Sequence, residues 1–405
     1  MKSSCTHRLA LTLALSLATL LALFGSATAS SPAGPVADFE PVDAVFAHAR
    51  LRELAPSLDK LLRSLMGSRY VVVAADPCGA DPGVRCDQWP KDGMMIWARD
   101  YHPLPVRRDD GSLRLISFVS PNPNRTAYAT GTLSGLAPVR ELTSLGLAKF
   151  ESLPLLHESG NLITNGRQVF VSDLLLDVNR NPPAFFDPKG TGFTRRTADV
   201  LLPMLAQSLG RAPEDLIVLP PMPGDVSRHV DIYLMAIDAE TLLVPQIRAE
   251  AILASALGQE RSVAFQAASF LDGIAARLQA RGLIVERLPM AGPMVIPARG
   301  TPGATQIVYA TPTNGLLLSL PRAKHVLLPV VHTAGRSAAF ERLRKGYERT
   351  WAEFFRKRGF TPHLVEVGGL AERGGLIHCA TATLPARNGF GATGSLHAQN
   401  GTQVR

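Results

Sequence analysis

Cysteine is scarce in this chain: there are four in 405 residues, and three of them have an explanation away from any reacting centre. A basic start (Lys2, Arg8), an apolar run from Leu9 to Phe24 and Ala27-Thr28-Ala29 read as a secretory leader over residues 1–29, so Cys5 is expected to be removed with it. Export implies an oxidising compartment, periplasmic or extracellular, where Cys78 and Cys86 are expected to pair across the turn-rich Gly79–Arg85 segment. Long apolar runs are missing too. The leader's run spans 16 residues, short of the ~20 that a membrane-crossing helix needs, and no later segment is long enough. There is no second Cys/His pair at zinc-ligand spacing and no phosphate-binding glycine loop, so neither a metal nor a cofactor is expected. The formal charge of +8 falls to +6 without Lys2 and Arg8, and the remaining basic residues are scattered rather than striped, which gives nucleic-acid binding little support.

Cysteine 379 is what remains. It follows two glycines in Gly374-Gly375-Leu376-Ile377-His378-Cys379-Ala380-Thr381, read here as a short apolar strand that holds a lone thiol beside a ligand. A solitary thiol in that setting suggests a nucleophile.

No Pro/Ser/Gly-rich linker divides the roughly 375 residues that follow the leader, so one large core or closely packed repeats are expected. The boundaries read as a leader (1–29), an N-terminal lead-in (30–69), a catalytic domain (70–385) and a disordered tail (386–405) that is rich in Gly, Asn, Ser and Thr. Within the domain one pattern recurs: two short strands joined by a polar turn, an amphipathic helix, and another strand. The clearest copy has Asp231–Ile237, Thr241–Ile247, a helix over Ser262–Gln279 and a strand at Leu283–Leu288. The next has Gly315–Leu320, His325–Val331, a helix over Ala338–Lys357 and Leu364–Val367. That helix carries Phe340, Leu343, Tyr347, Trp351 and Phe354 at three-to-four spacing, a core stripe. An earlier copy turns at Asn165-Gly166, a strong hairpin signal, between Leu162–Thr164 and Gln168–Ser172; its helix is Ala198–Leu209 and its closing strand Leu216–Leu219. Upstream lies a hairpin of Tyr101–Arg107 and Leu113–Ser120, with Tyr70–Ala74 before it. A fifth copy begins at Leu376 and takes its missing strand from the N-terminal end. Five copies predict a closed ring.

At the mouths of these hairpins stand Asp100, Glu158, His229 with Asp231, Asn314 and Cys379. A ring of equivalent positions aims all of them at one centre. Strand alternation places His229 and Asp231 on one face and turns His378 away from the side of Cys379. Paired carboxylates suit a planar cation with several N–H donors, which is a guanidinium, and they would repel the oxyanion of amide cleavage, which disfavours a cysteine protease. His229 is the candidate acid and base beside the thiol. Each residue also has a structural reading: Cys379 as a small buried hydrophobe, Asp100 as half of an ion pair with Arg99, Glu158 as a brace for its hairpin, His229 as a hydrogen-bonded core residue, Asp231 as an orienter of His229, and Asn314 as a turn residue. His102, His157 and His378 are expected to have structural roles.

Trp97-Ala98-Arg99-Asp100, Glu158-Ser159-Gly160-Asn161, His229-Val230-Asp231 and the Gly374–Thr381 segment resemble the signature segments of the guanidino-group-modifying (pentein) superfamily. The nearest pattern is the branch of agmatine deiminases and Porphyromonas-type peptidylarginine deiminases, over roughly residues 70–385. The resemblance implies an α/β five-bladed propeller of ββαβ units with pseudo-fivefold symmetry. It also implies that Cys379 forms a covalent thiouronium, that His229 is general acid then base, that Asp100 and Asp231 bind the guanidinium with Glu158 in support, and that Trp97, Asn161 and Asn314 line the substrate. The product would be a ureido compound and ammonia, from agmatine, arginine or peptidyl-arginine. Two departures stand out: Arg228 where the branch usually has glycine before the histidine, and Ser159-Gly160 where it commonly has Gly-Gly. Arg228 either reshapes the pocket or pairs with a substrate carboxylate. An amidinotransferase of the same fold and a non-catalytic guanidinium-binding ring are the alternatives.

Overall fold

One pattern is repeated five times, an antiparallel hairpin whose second strand also carries a parallel third strand. The computed structural model describes residues 33–74, 85–88, 96–119, 143, 148–184, 186, 192–255, 258–298, 303–332 and 336–386. The expected leader, Cys78 of the expected bridge to Cys86, and the expected tail beyond Ala386 lie outside the described residues. Leu162–Thr164 pairs antiparallel with Val169–Ser172, which pairs parallel with Leu216–Leu219. Met235–Ala236, Thr241–Gln246 and Ile284–Pro289 repeat the arrangement, as do Leu316–Ser319, Lys324–Val330 and Phe360–Glu366. Leu104–Arg107 and Leu113–Val119 form another hairpin, closed by Ala148–Leu156. In the fifth sheet Thr381–Pro385 lies antiparallel to Val42–His48, which is parallel to Tyr70–Ala74. The fold is mixed α/β, built of several small sheets.

Chemistry explains the elements. At Asn165-Gly166 the Asn165 side-chain oxygen accepts from the backbone N–H groups of Arg167 and Gln168, and Gly166 takes φ +82° without Cβ strain. Each middle strand is covered on both faces, so it reads as a continuous apolar run rather than an alternating one: Leu242, Leu243 and Val244 are fully buried, as are Val326, Leu327 and Leu328. The helices that cover them are amphipathic. Ser337 caps Ala338–Lys357 by accepting from the Phe340 N–H at 3.1 Å, and Phe340, Tyr347, Trp351 and Phe355 are its buried stripe. Phe355 takes the inner place expected of Phe354, whose ring instead carries the Arg358 guanidinium 3.7 Å from its centroid.

Three expectations are corrected. Tyr70–Ala74 does not serve the hairpin that follows it in sequence; it is the parallel neighbour of Val42–His48. The strand that closes the hairpin, Ala148–Leu156, went unrecognised because it is an edge strand containing Pro154 and the charged pair Lys149 and Glu151, so it shows no apolar run. The Cys379 segment is not a strand: Ile377–Ala380 is one helical turn, and the strand begins at Thr381. Val230–Ile232 is likewise a 3-10 turn, which leaves Met235–Ala236 as the strand.

Candidate active site

A single helical turn precedes the first strand of every hairpin. These turns are Ala98–Tyr101, Ser159–Asn161, Val230–Ile232, Pro312–Asn314 and Ile377–Ala380. Each touches the next in that order, and Ile377–Ala380 touches both Pro312–Asn314 and Ala98–Tyr101. Sequence punctuation creates them. Pro312 pre-sets the first position of its turn, Thr311 accepts from the Thr313 N–H at 3.3 Å, and the Gly160 Cα lies where any Cβ would stand 2.5 Å from Asp100 Oδ1 and 2.9 Å from His229 Nδ1. Gly375 is under the same constraint, since its Cβ would stand 2.6 Å from the Trp97 ring. Cross-links fix the turns to one another: Asn161 Oδ1 accepts from the Ser172 and Val230 N–H groups, and the Thr313 hydroxyl donates to Ile232 O at 2.7 Å.

The turns gather the residues the sequence singled out. His229 lies with Nε2 3.1 Å from Glu158 Oε2 and Nδ1 3.7 Å from Asp100 Oδ1, and its side chain is 3% exposed. Burial alone would lower its pKa, but the charges of Asp100 and Glu158 outweigh it and raise the pKa to about 10. His229 is therefore an imidazolium at neutral pH. Beside it Cys379 Sγ lies 3.2 Å from Asn314 Nδ2 and 3.4 Å from Asp231 Oδ2. Burial pushes the thiol's pKa well up, and the charges of Asp231 and Asp100 push it the same way. Asp100 and Asp231 each act on both His229 and Cys379, so one anionic cage surrounds acid and nucleophile. Asp231 is wholly buried, and its Oδ1 has no hydrogen-bond partner among the described residues.

Asp100, Glu158 and His229 each offer one ligand atom within 4.8 Å of the others, close enough for a metal ion.

Sequence reasoning missed three residues. His378 does not face away from the site: its Nδ1 bonds Asp231 Oδ2 at 2.8 Å and its Nε2 bonds Asp38 Oδ2 at 3.1 Å. Asp38 is held in turn by Arg99 at 3.0 Å, and Arg99 also donates to Thr381 O. Strand alternation misplaced His378, because in a helical turn neighbouring residues are not on opposite faces. Asp38 carries no local motif at all. His102 and His157 are both buried, with burial lowering each pKa to about 3, and each packs on a phenylalanine, Phe46 and Phe118.

The remaining candidates sit around this centre. Trp97 is buried against Gly375. Asn161 uses its carbonyl oxygen to brace the His229 turn, and Asn314 also donates to Asp231 O at 3.4 Å. Arg228 is the one non-glycine residue with positive φ among the described residues, at +58°, a conformation that costs a non-glycine residue about 1–2 kcal/mol. That explains why glycine would suit the position. Its guanidinium pairs with Asp177 at 2.9 Å and Asp173 at 3.2 Å, so it reaches a substrate carboxylate only by giving up both.

No family model matches the chain, and no curated relative does. Solved structures do. Agmatine deiminase of Enterococcus faecalis superposes with a TM-score of 0.61 at 15% identity, covering 89% of this chain and 99% of that one. C. jejuni agmatine deiminase gives 0.59 at 13% identity, over 87% and 95%. A provisionally assigned peptidyl-arginine deiminase gives 0.61 at 16% identity, over 87% and 99%. The fold is therefore the one those deiminases share.

Proposed function

We propose that this chain is an exported deiminase that hydrolyses a guanidino group to a ureido group and ammonia. The observation that carries the reading is the wholly buried Asp231 carboxylate, with Oδ2 3.4 Å from the only free thiol among the described residues and Oδ1 without a donor. A guanidinium supplies the N–H donors that oxygen needs and the positive charge that offsets Asp100 and Asp231 beside the thiol, so substrate binding itself favours the thiolate. The fold shared with agmatine deiminases supports the same conclusion, as does the touching order of the five turns, which is what a five-bladed propeller requires.

The reaction follows from the placement. Asp231 Oδ2, 3.4 Å away, takes the thiol proton as the Cys379 sulfur adds to the guanidinium carbon, and that proton leaves with the departing ammonia as ammonium. The His229 imidazolium gives its proton to one nitrogen, the C–N bond breaks, ammonia departs and an S-linked thiouronium remains. Water then adds to the same carbon with one proton passing to His229, the C–S bond breaks as the remaining hydroxyl proton returns to the Cys379 sulfur, and the ureido product leaves with thiol and imidazolium restored. Bound between Asp100 and Asp231, the substrate has its planar face toward the sulfur. The three compounds that fit are agmatine, free arginine and a peptide with internal arginine.

The test is product analysis with all three in ¹⁸O-labelled water. A hydrolase gives a ureido product labelled at the carbonyl oxygen; an amidinotransferase gives one only poorly and instead modifies an added amine; a binding ring gives neither.

A further inference from the structure

Among the charged groups at the centre, one pair is not used by the reaction just described. His378 is 3% exposed and sits between two carboxylates, Asp231 Oδ2 at 2.8 Å on Nδ1 and Asp38 Oδ2 at 3.1 Å on Nε2. A neutral imidazole can donate from one nitrogen alone, and its other nitrogen would turn a lone pair toward a carboxylate. Two carboxylate partners therefore call for both nitrogens to carry protons.

We propose that His378 is a positioning residue of the site: as an imidazolium clamped between Asp38 and Asp231 it fixes the Asp231 carboxylate, keeping Oδ2 at the thiol and Oδ1 toward the substrate. Asp38 anchors the clamp from the N-terminal segment, and Arg99 anchors Asp38. The groups that face His378 are Asp38, Asp231 and Arg99. Burial and Arg99 oppose its charge, and the two carboxylates prevail, so its pKa is raised. Asp38 is tuned the other way: burial would raise its pKa, but Arg99 and His378 together lower it, so it remains a carboxylate. The consequence for chemistry is geometric and electrostatic. A carboxylate free to rotate about its last bond would let the guanidinium carbon drift from Sγ, and displacement by about 1 Å costs on the order of 100-fold in rate. The imidazolium also offsets the Asp231 charge that opposes thiolate formation.

The inference rests on the deiminase reading for its kinetic part, and its test has an arm that does not. Side-chain ¹⁵N NMR of the full-length protein, with His378→Gln identifying the resonances, should show both His378 nitrogens protonated at pH 7.5, as two carboxylate partners require. A neutral His378 at pH 7.5 overturns the proposal whether or not any guanidine is turned over. In the kinetic arm, Asp38→Asn should lower kcat by about 10- to 100-fold with a smaller change in KM and move the alkaline limb of the kcat/KM profile down by about one pH unit. The same substitution made on top of His378→Gln should add almost nothing, because its effect passes through that ring. Equal effects of Asp38→Asn in both backgrounds, or an unmoved alkaline limb in a variant that melts like the parent, contradict the clamp.

Discussion

His229 holds its proton between Glu158 and Asp100, and that arrangement has a stability signature. Its folded pKa of about 10 lies above the unfolded value near 6.5, so the stabilisation is fully present below about pH 6.5 and is lost as pH rises through about 10. Over the full shift the stabilisation is on the order of 5 kcal/mol. In denaturant titrations at pH 7 and pH 10, His229→Asn should be less stable than the parent at pH 7 and should lose less between the two pH values. A parallel pH dependence in both proteins would count against the charged imidazole. At this scale Cys379, His229, Asp231, Asp100, Glu158 and Asn314 were legible in the sequence, because acid, imidazole, amide and thiol recur at one place in a repeating pattern. Asp38 was not, since an aspartate 340 positions before His378 in the chain becomes its partner only through the fold. His378 was hidden by a wrong assumption about the local backbone.

Single turns, rather than strands, deliver the side chains. The turn at Ser159–Asn161 passes so close to its neighbours that Gly160 is the only residue that fits: a methyl group would meet both Asp100 and His229. Gly160→Ala should therefore cut kcat/KM by 100-fold or more, in line with a displacement of about 1 Å at the reacting groups, while circular dichroism stays like the parent's. Activity within threefold of the parent would show that the turn has room to yield. The hairpins were legible where turn chemistry was explicit, as at Asn165-Gly166, and so was the capped helix Ala338–Lys357. Ala148–Leu156 was illegible because edge strands tolerate proline and charge, and Tyr70–Ala74 was assigned to the wrong hairpin because its pairing partner is Val42–His48 rather than the strands that follow it. The paired strands Met294–Pro297 and Thr305–Val308 were not foreseen either, since they stand outside the repeat.

For the molecule as a whole, the N-terminal segment is structural and functional at once. Val42–His48 lies between Thr381–Pro385 and Tyr70–Ala74, so the stretch expected as a lead-in joins the two ends of the chain in one sheet. It also supplies Asp38. This places a limit on processing: cleavage after Ala29 spares the strand and the aspartate, whereas a cut ten residues later would remove Asp38. Expressed with its leader in a secreting host, the exported chain should begin at Ser30 by N-terminal sequencing, and retention of an uncleaved chain in the cytoplasm would count against export. The central claim is that the Cys379 thiol, in its cage of carboxylates, attacks a guanidinium carbon. Ammonia release from agmatine, arginine and an internal-arginine peptide, measured for the mature chain beside Cys379→Ala, tests it most directly. Release from at least one of the three and none above background from the variant is the expected result; release that continues at the parent's rate without the thiol would contradict attack by Cys379.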